Sequence, residues 1–235
     1  MSIRHSLIYA FRYGRIRLLP SVMIYFLWLP PGQAIEGDTI RLPQPEYRGL
    51  VLEQALQQRR TVREFSSRPV KLKELSQLLW AAQGITSSRD FRTAPSAGAL
   101  YPLEVDVVAG AIEGLPPGVY RYQPKAHSLQ KVVDGDVRKE TARAALGQWW
   151  MNDAPLILII SAVAQRTEKK YGRRASLYIP LEAGAAAQNA LLQAVSLGLA
   201  AAIVGAFDTH RLQTLLAAQN KEEPLVILPI GHAAP

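Results

Sequence analysis

At 235 residues, with 49% hydrophobic and 20% charged side chains, the chain has the content of one sizeable folded core and lacks the polar bias of a disordered or fibrous protein. It contains no cysteine, which excludes disulfides, thiolate catalysis and thiolate metal ligands, and His5, His127, His210 and His232 are too scattered for a zinc site. The formal charge of +8 is uneven: four of the 27 basic residues lie in the first 34 positions, which hold no acid, and the other 23 face 19 acids without a basic stripe interleaved with aromatics, so nucleic acid is not an expected partner.

Residues 1–34 join a basic stretch to the 12-residue apolar run Leu18–Leu29 and the small pair Gly32 and Ala34, the three parts of a secretory signal. The run is short for a transmembrane helix. Three readings stay open: a cleaved export signal, an extension packed on the core or on a partner subunit, and a retained anchor, which alone would hold the chain at a membrane. No twin arginine precedes the run, so export of a folded, cofactor-loaded protein lacks its usual tag. The chain is thus either exported or cytoplasmic.

Residues 35–49, rich in Pro and polar side chains, read as a linker into a domain over 50–235. Apolar residues at Val51, Leu52, Ala55 and Leu56 predict a helix over 50–58, and Leu72, Leu75, Leu79 and Ala82 a second over 72–83, preceded by Pro69 and closed by Gly84. Strands are predicted at 105–109, 119–122 and 129–133, then a helix over 137–146. Leu156–Ala164 is a continuous apolar, β-branched run, the mark of a strand buried on both faces. A long Ala- and Leu-rich helix over 179–198 has the small side chains that suit close packing on another helix. A strand at 200–204, a helix over 211–218 and a buried strand at 224–230 complete the chain. Helices and strands mix without strict alternation, so the expected class is α+β, a central sheet wrapped by helices.

Two segments carry candidate chemistry. Arg59-Arg60-Thr61-Val62-Arg63 offers three guanidiniums and a hydroxyl within five residues, the donor set that a phosphate dianion asks for; a solvated basic face is the bland alternative. Pro95-Ser96-Ala97-Gly98-Ala99-Leu100-Tyr101-Pro102 is a loop of small residues that lets backbone amides approach a flat ligand, or else a turn before a strand. Dinucleotide, Walker, nucleophile-elbow and zincin signatures are missing from the sequence.

These segments, with Lys170-Tyr171-Gly172, Ala187-Gln188-Asn189 and Leu197-Gly198-Leu199, stand in the order found in the flavin-dependent nitroreductases, and they look most like the SagB/ThcOx-type dehydrogenase branch. The resemblance covers about residues 50–232. It implies a central mixed or antiparallel sheet, an entwined homodimer with FMN at the subunit interface, and hydride transfer between flavin and a small organic or peptide-azoline substrate. NAD(P)H is the usual donor in such enzymes. Carried over, Arg59, Arg60, Thr61 and Arg63 match the FMN-phosphate segment, Pro95, Ser96, Ala97 and Gly98 the loop along the flavin ring, and Val204, Gly205 and Ala206 the segment near the reactive flavin nitrogen. Gln188 and Asn189 are either flavin contacts or amides that cap or hydrogen-bond between helices. Lys170 and Tyr171 match a catalytic pair of the azoline-oxidising members, while Lys169, Arg173 and Arg174 beside them allow a plain basic loop. The chain lacks the cation that many nitroreductases place after the last strand, and has Ala99 where many have an Asn. A non-catalytic flavin-binding or interaction protein of the cell envelope is the alternative.

Overall fold

The computed structural model describes residues 39–218 and 222–235; the expectations for residues 1–34 fall outside the described residues. Seven strands form one sheet in the order β1-β6-β5-β3-β7-β9-β8: β1 (Thr39–Arg41), β3 (Leu103–Ala109), β5 (Gly118–Gln123), β6 (Ser128–Asp134), β7 (Leu156–Val163), β8 (Ala200–Ala201) and β9 (Glu222–Gly231). Every neighbouring pair in it is antiparallel. β2 (Val70–Lys71) and β4 (Ile112–Glu113) make a separate parallel pair. Helices α1 (Leu52–Gln58), α2 (Leu72–Gln83), α3 (Arg138–Ala144), α4 (Gln165–Tyr171), α5 (Ala175–Ser196) and α6 (Thr209–Leu215) surround the sheet, so the class is α+β as expected.

β7 shows how the core is divided. Leu156, Leu158 and Ile160 face α2 and α5, where they meet Leu75, Leu79, Ala186 and Ala190. Ile157 and Ile159 face the other side, with Ala142 of α3 and Leu212 of α6. A strand with helices on both faces has no polar side to present, which is why its sequence is an unbroken apolar run.

Several boundaries move for physical reasons. Thr39–Arg41, within the residues read as a linker, pair with β6, because Ile40 is half-buried and Leu42 buried beside it. α6 starts at Thr209, where the Asp208 side chain accepts the Arg211 N–H at 3.0 Å and caps the first turn. The predicted strand at 200–204 pairs regularly only at Ala200 and Ala201 and then meets Ile227 again through Val204. α5 begins four residues earlier than expected and runs through Pro180. α1 forms as predicted, but only Ala55 on it is buried; Leu52 and Leu56 are 58% and 52% exposed, because nothing among the described residues packs over them.

Candidate functional site

The loop from Pro95 to Tyr101 is closed on itself and tied to its surroundings. Ser96 Oγ accepts the Tyr101 N–H at 2.9 Å, and the Ala97 N–H donates to Glu182 Oε1 on α5 at 2.8 Å. Gly98, Ala99 and Tyr101 have φ of 62°, 53° and 46°. Left-handed backbone costs a non-glycine residue about 1–2 kcal/mol, so contacts must hold the loop there. Arg166 supplies one: its Nη1 donates to the Tyr101 carbonyl at 3.1 Å while its Nη2 pairs with Glu104 at 2.5 Å. Arg92 supplies another, its guanidinium lying 4.5 Å from the Tyr101 ring centroid and its Nη1 donating to Gln83 Oε1 at 2.8 Å. Burial holds the Arg92 guanidinium below its ordinary value.

Lys170 and Tyr171, at the end of α4, pack directly on this loop. A Cβ built on Gly98 would lie 2.9 Å from both Lys170 Nζ and Tyr171 Oη, so a side chain there would push those two tips aside, while the φ of 62° is what favours glycine. The Tyr171 ring is set edge-on to Tyr178, with centroids 5.1 Å apart, and Arg174 Nε donates to the Tyr178 hydroxyl at 3.0 Å. Gly172, with φ of 53°, ends α4 and lets the chain turn into α5.

The 59–63 segment is held differently. Its backbone is laced to the last strands: Thr61 bridges Ala201, the Val62 N–H donates to the Ala201 carbonyl at 3.0 Å, and Phe65 bridges Ala233. Its side chains are left available. Arg60, Thr61 and Arg63 are exposed and Arg59 half-buried. Arg60 Nη1 donates to the carbonyls of Gln57 and Arg59 at 2.9 and 2.8 Å, and Arg63 lies 5.7 Å from the Trp150 ring centroid. Among the described residues no carboxylate forms an ion pair with Arg59, Arg60 or Arg63. Three guanidiniums and a hydroxyl without a counter-ion among the described residues fit a phosphate, and a loop of small residues turned at a left-handed glycine fits a flat ring; this donor set suits FMN.

Val204 is buried and exchanges both backbone hydrogen bonds with Ile227 at 2.9 Å, leaving Gly205 and Ala206 exposed at the surface. Gln148 Nε2 donates to the Ala206 carbonyl at 3.3 Å. On α5, Gln188 is half-buried, and Asn189 Nδ2 donates to the Thr93 carbonyl at 3.3 Å, a helix-to-loop bond within the chain. The structure therefore gathers the predicted residues into two groups. Residues 59–63 and 204–206 sit at the β8 and β9 end of the sheet, whereas residues 95–98 and 170–171 sit beside the first half of α5. Glu182, which holds the loop, stands 14 residues before Ser196, or about 21 Å along the helix axis.

This fold is shared with known proteins. A family model described as Nitroreductase family matches residues 56–232. The chain belongs to the nitroreductase family. That family is one of oxidoreductases. The nitroreductase-type protein MJ1384 of Methanocaldococcus jannaschii is 44% identical over 196 residues, which cover 83% of this chain and 98% of that protein. A crystal structure of a nitroreductase-type protein from Ralstonia eutropha has a TM-score of 0.75 at 34% identity and covers 88% of this chain and 96% of its own. The trifolitoxin operon protein TfxC of Rhizobium leguminosarum is 32% identical over 129 residues, which cover 48% of this chain but 36% of that protein.

Sequence reasoning missed Glu182, Arg92 and Arg166 as parts of the site. Glu182 had a usable signal: it is the sole charged residue in the 22 of α5, and it is buried. A lone carboxylate on an apolar helix needs a partner, and here the partner is a loop amide.

Proposed function

We propose that this nitroreductase-family chain is an FMN-dependent oxidoreductase that moves hydride between the flavin and a small organic substrate. The observation that carries the reading is the packing of Lys170 and Tyr171 onto Gly98, which puts an ammonium and a phenol at the surface assigned to the flavin ring. In this reading Arg59, Arg60, Thr61 and Arg63 hold the phosphate, and Pro95, Ser96, Ala97 and Gly98 seat the ring. Val204, Gly205 and Ala206 lie near the reactive edge, with Gln188 supporting from α5. Bound FMN supplies a reversible two-electron hydride acceptor. Tyr171 or Lys170 holds the proton that enters or leaves the substrate as hydride moves, and the loop keeps that donor within reach.

The flavin is read as lying between two copies of the chain. Two observations favour this: the phosphate and ring groups sit on separate parts of one chain, and apolar surface is left bare. Leu177 and Leu181 are 53% and 63% exposed on α5, in line with exposed Gly184, and Leu52 and Leu56 stand out from α1. The Lys-Tyr pair and the likeness to TfxC favour the SagB-type dehydrogenase branch, whose azoline substrate would give up hydride. The alternative course within the same function has NAD(P)H as donor.

The test is the visible spectrum of the purified chain, release and identification of its chromophore, and anaerobic titration with NAD(P)H or an azoline. Flavin peaks, released FMN and bleaching by either reductant are expected. A colourless folded protein that refuses added FMN would overturn the assignment.

A further inference from the structure

The candidate ring loop is bordered by positive charge that the fold leaves uncompensated. From Arg166 to Arg174, nine residues hold five cations, Arg166, Lys169, Lys170, Arg173 and Arg174, and one acid, Glu168. Arg92 adds a sixth cation from the other side of Tyr101. Three of the six touch the loop directly: Arg92 on the Tyr101 ring, Arg166 on the Tyr101 carbonyl, and Lys170, one helical turn along α4, on Gly98. Against them stand Glu104, already paired with Arg166, and Glu182, already occupied by the Ala97 N–H. Arg92 is half-buried; its direct partners are the Gln83 amide oxygen and the Tyr101 ring, and the carboxylate that acts on it, Glu104, is shared with Arg166 and so balances one of the two guanidiniums. Charge that is partly desolvated and lacks a counter-ion is costly to keep, and a charged ligand that supplies the counter-ion is attracted most strongly there.

We propose that the substrate turned over on this loop carries an anionic group, a carboxylate or a phosphate, drawn to the face by Arg92, Arg166 and Lys170. The inference rests on the reading of residues 95–98 as the seat of the flavin ring. Arg92 and Arg166, fixed by their contacts with Tyr101, supply a standing field, and Lys170, exposed beside Gly98, is the cation free to meet the anion. Lys169 and Arg173 are exposed and add to the field from outside the loop's own contacts.

The experiment uses the full chain with its flavin photoreduced under anaerobic conditions and follows reoxidation by two probes of matched size, 4-nitrobenzoate and 4-nitrobenzyl alcohol. The anion should be favoured about tenfold in kcat/KM at about 0.01 M ionic strength, and the preference should shrink at about 0.3 M, where screening shortens the reach of the field. The double substitution Lys169→Glu, Arg173→Glu reverses two charges of the surrounding field while Arg92, Arg166 and Lys170 stay, so it should reduce the preference and leave the rate with the neutral probe in place. Equal rates for the two probes, or a preference that the double substitution does not alter, would overturn the proposal. Calorimetric titration of the oxidised chain with 4-nitrobenzoate separates this from the cofactor question. If the chain proves to hold no flavin, binding of the anion that is weakened in the double variant still upholds the cationic site, and binding that is absent or unchanged by the substitutions still rejects it.

Discussion

The 95–101 loop and the 59–63 segment are both short surface runs, yet the chain builds them in opposite ways. In the loop, side chains fix the backbone: Ser96 holds Tyr101, Glu182 holds Ala97, Arg166 holds the Tyr101 carbonyl, and Lys170 and Tyr171 close over Gly98. In the segment the backbone is fixed by β8 and the chain end, and the guanidiniums stay without counter-ions. The difference matches the ligand parts assigned to them. A flat ring needs a surface already shaped when it arrives, whereas a phosphate is best met by flexible cations anchored at their base. Each substitution below attacks one side of that contrast, in order of its expected effect on flavin binding.

The loop should be the more brittle. Gly98→Val puts a β-branched side chain at a φ of 62°, where its Cβ falls 2.9 Å from Lys170 Nζ and Tyr171 Oη. Left-handed strain of about 1–2 kcal/mol adds to the displacement of the Lys170 and Tyr171 tips that close over the loop, and the loop should leave its present shape. The purified variant should be colourless and its melting point lowered; full flavin occupancy would mean that the loop does not seat the ring.

Arg63→Ala should do the reverse, weakening the flavin while sparing the fold. A charged hydrogen bond contributes roughly 1.5–3 kcal/mol, so the dissociation constant for FMN, read from recovery of free-flavin fluorescence, should rise about 10- to 150-fold. The melting point of the flavin-free protein should hardly move, since Arg63 is exposed and among the described residues rests on Trp150 alone. A large fall in that melting point with unchanged flavin affinity would reverse the contrast between the two regions.

How much of this was legible in the sequence depended on what each residue packs against. β7, α2 and α5 declared themselves because burial imposes a period or a continuous run on them. α4 did not, since Gln165–Tyr171 buries only Thr167 and therefore shows no apolar stripe. α1 was legible as a helix but not in its orientation, because its apolar side faces outward in the single chain. Of the site, the two segments could be found by composition, and the nearness of Lys170-Tyr171 to Gly98 could not, because 71 residues and five strands separate them in the chain. Glu182 was readable only as an anomaly, a charge on an apolar helix.

Glu182 gives the third test. In Glu182→Leu the Ala97 N–H loses its acceptor in a half-buried setting, at a cost of about 1–3 kcal/mol, whereas Glu182→Gln keeps an acceptor of the same reach. Flavin affinity should fall about tenfold in the first and recover in the second. Equal losses in both would mean that the charge acts on the flavin and that the loop bond is incidental.

The smallest effect on flavin should come from the most buried charges in the described chain. Asp106 on β3 and Glu222 on β9 both accept from Arg121 on β5, at 2.6 and 3.0 Å for Asp106 and 3.1 and 2.7 Å for Glu222. One guanidinium thus faces two carboxylates, and the surplus negative charge falls on Asp106, which is fully buried. Burial, helped by Glu222 and against the pull of Arg121, pushes the Asp106 carboxyl up to about 6 from 3.8. The folded chain therefore binds this proton more tightly than the unfolded one does. The resulting stability is fully present below about pH 4, falls as pH rises toward 6 and is gone above it, a change on the order of 3 kcal/mol. Denaturant unfolding across that window should show the fall, and Asp106→Asn should remove it while leaving the Arg121–Glu222 pair and the flavin constant where they were. A flavin constant that followed Asp106 would show the sheet interior coupled to the site, and the division between a finished loop and a waiting phosphate segment would then have to be drawn across the whole domain.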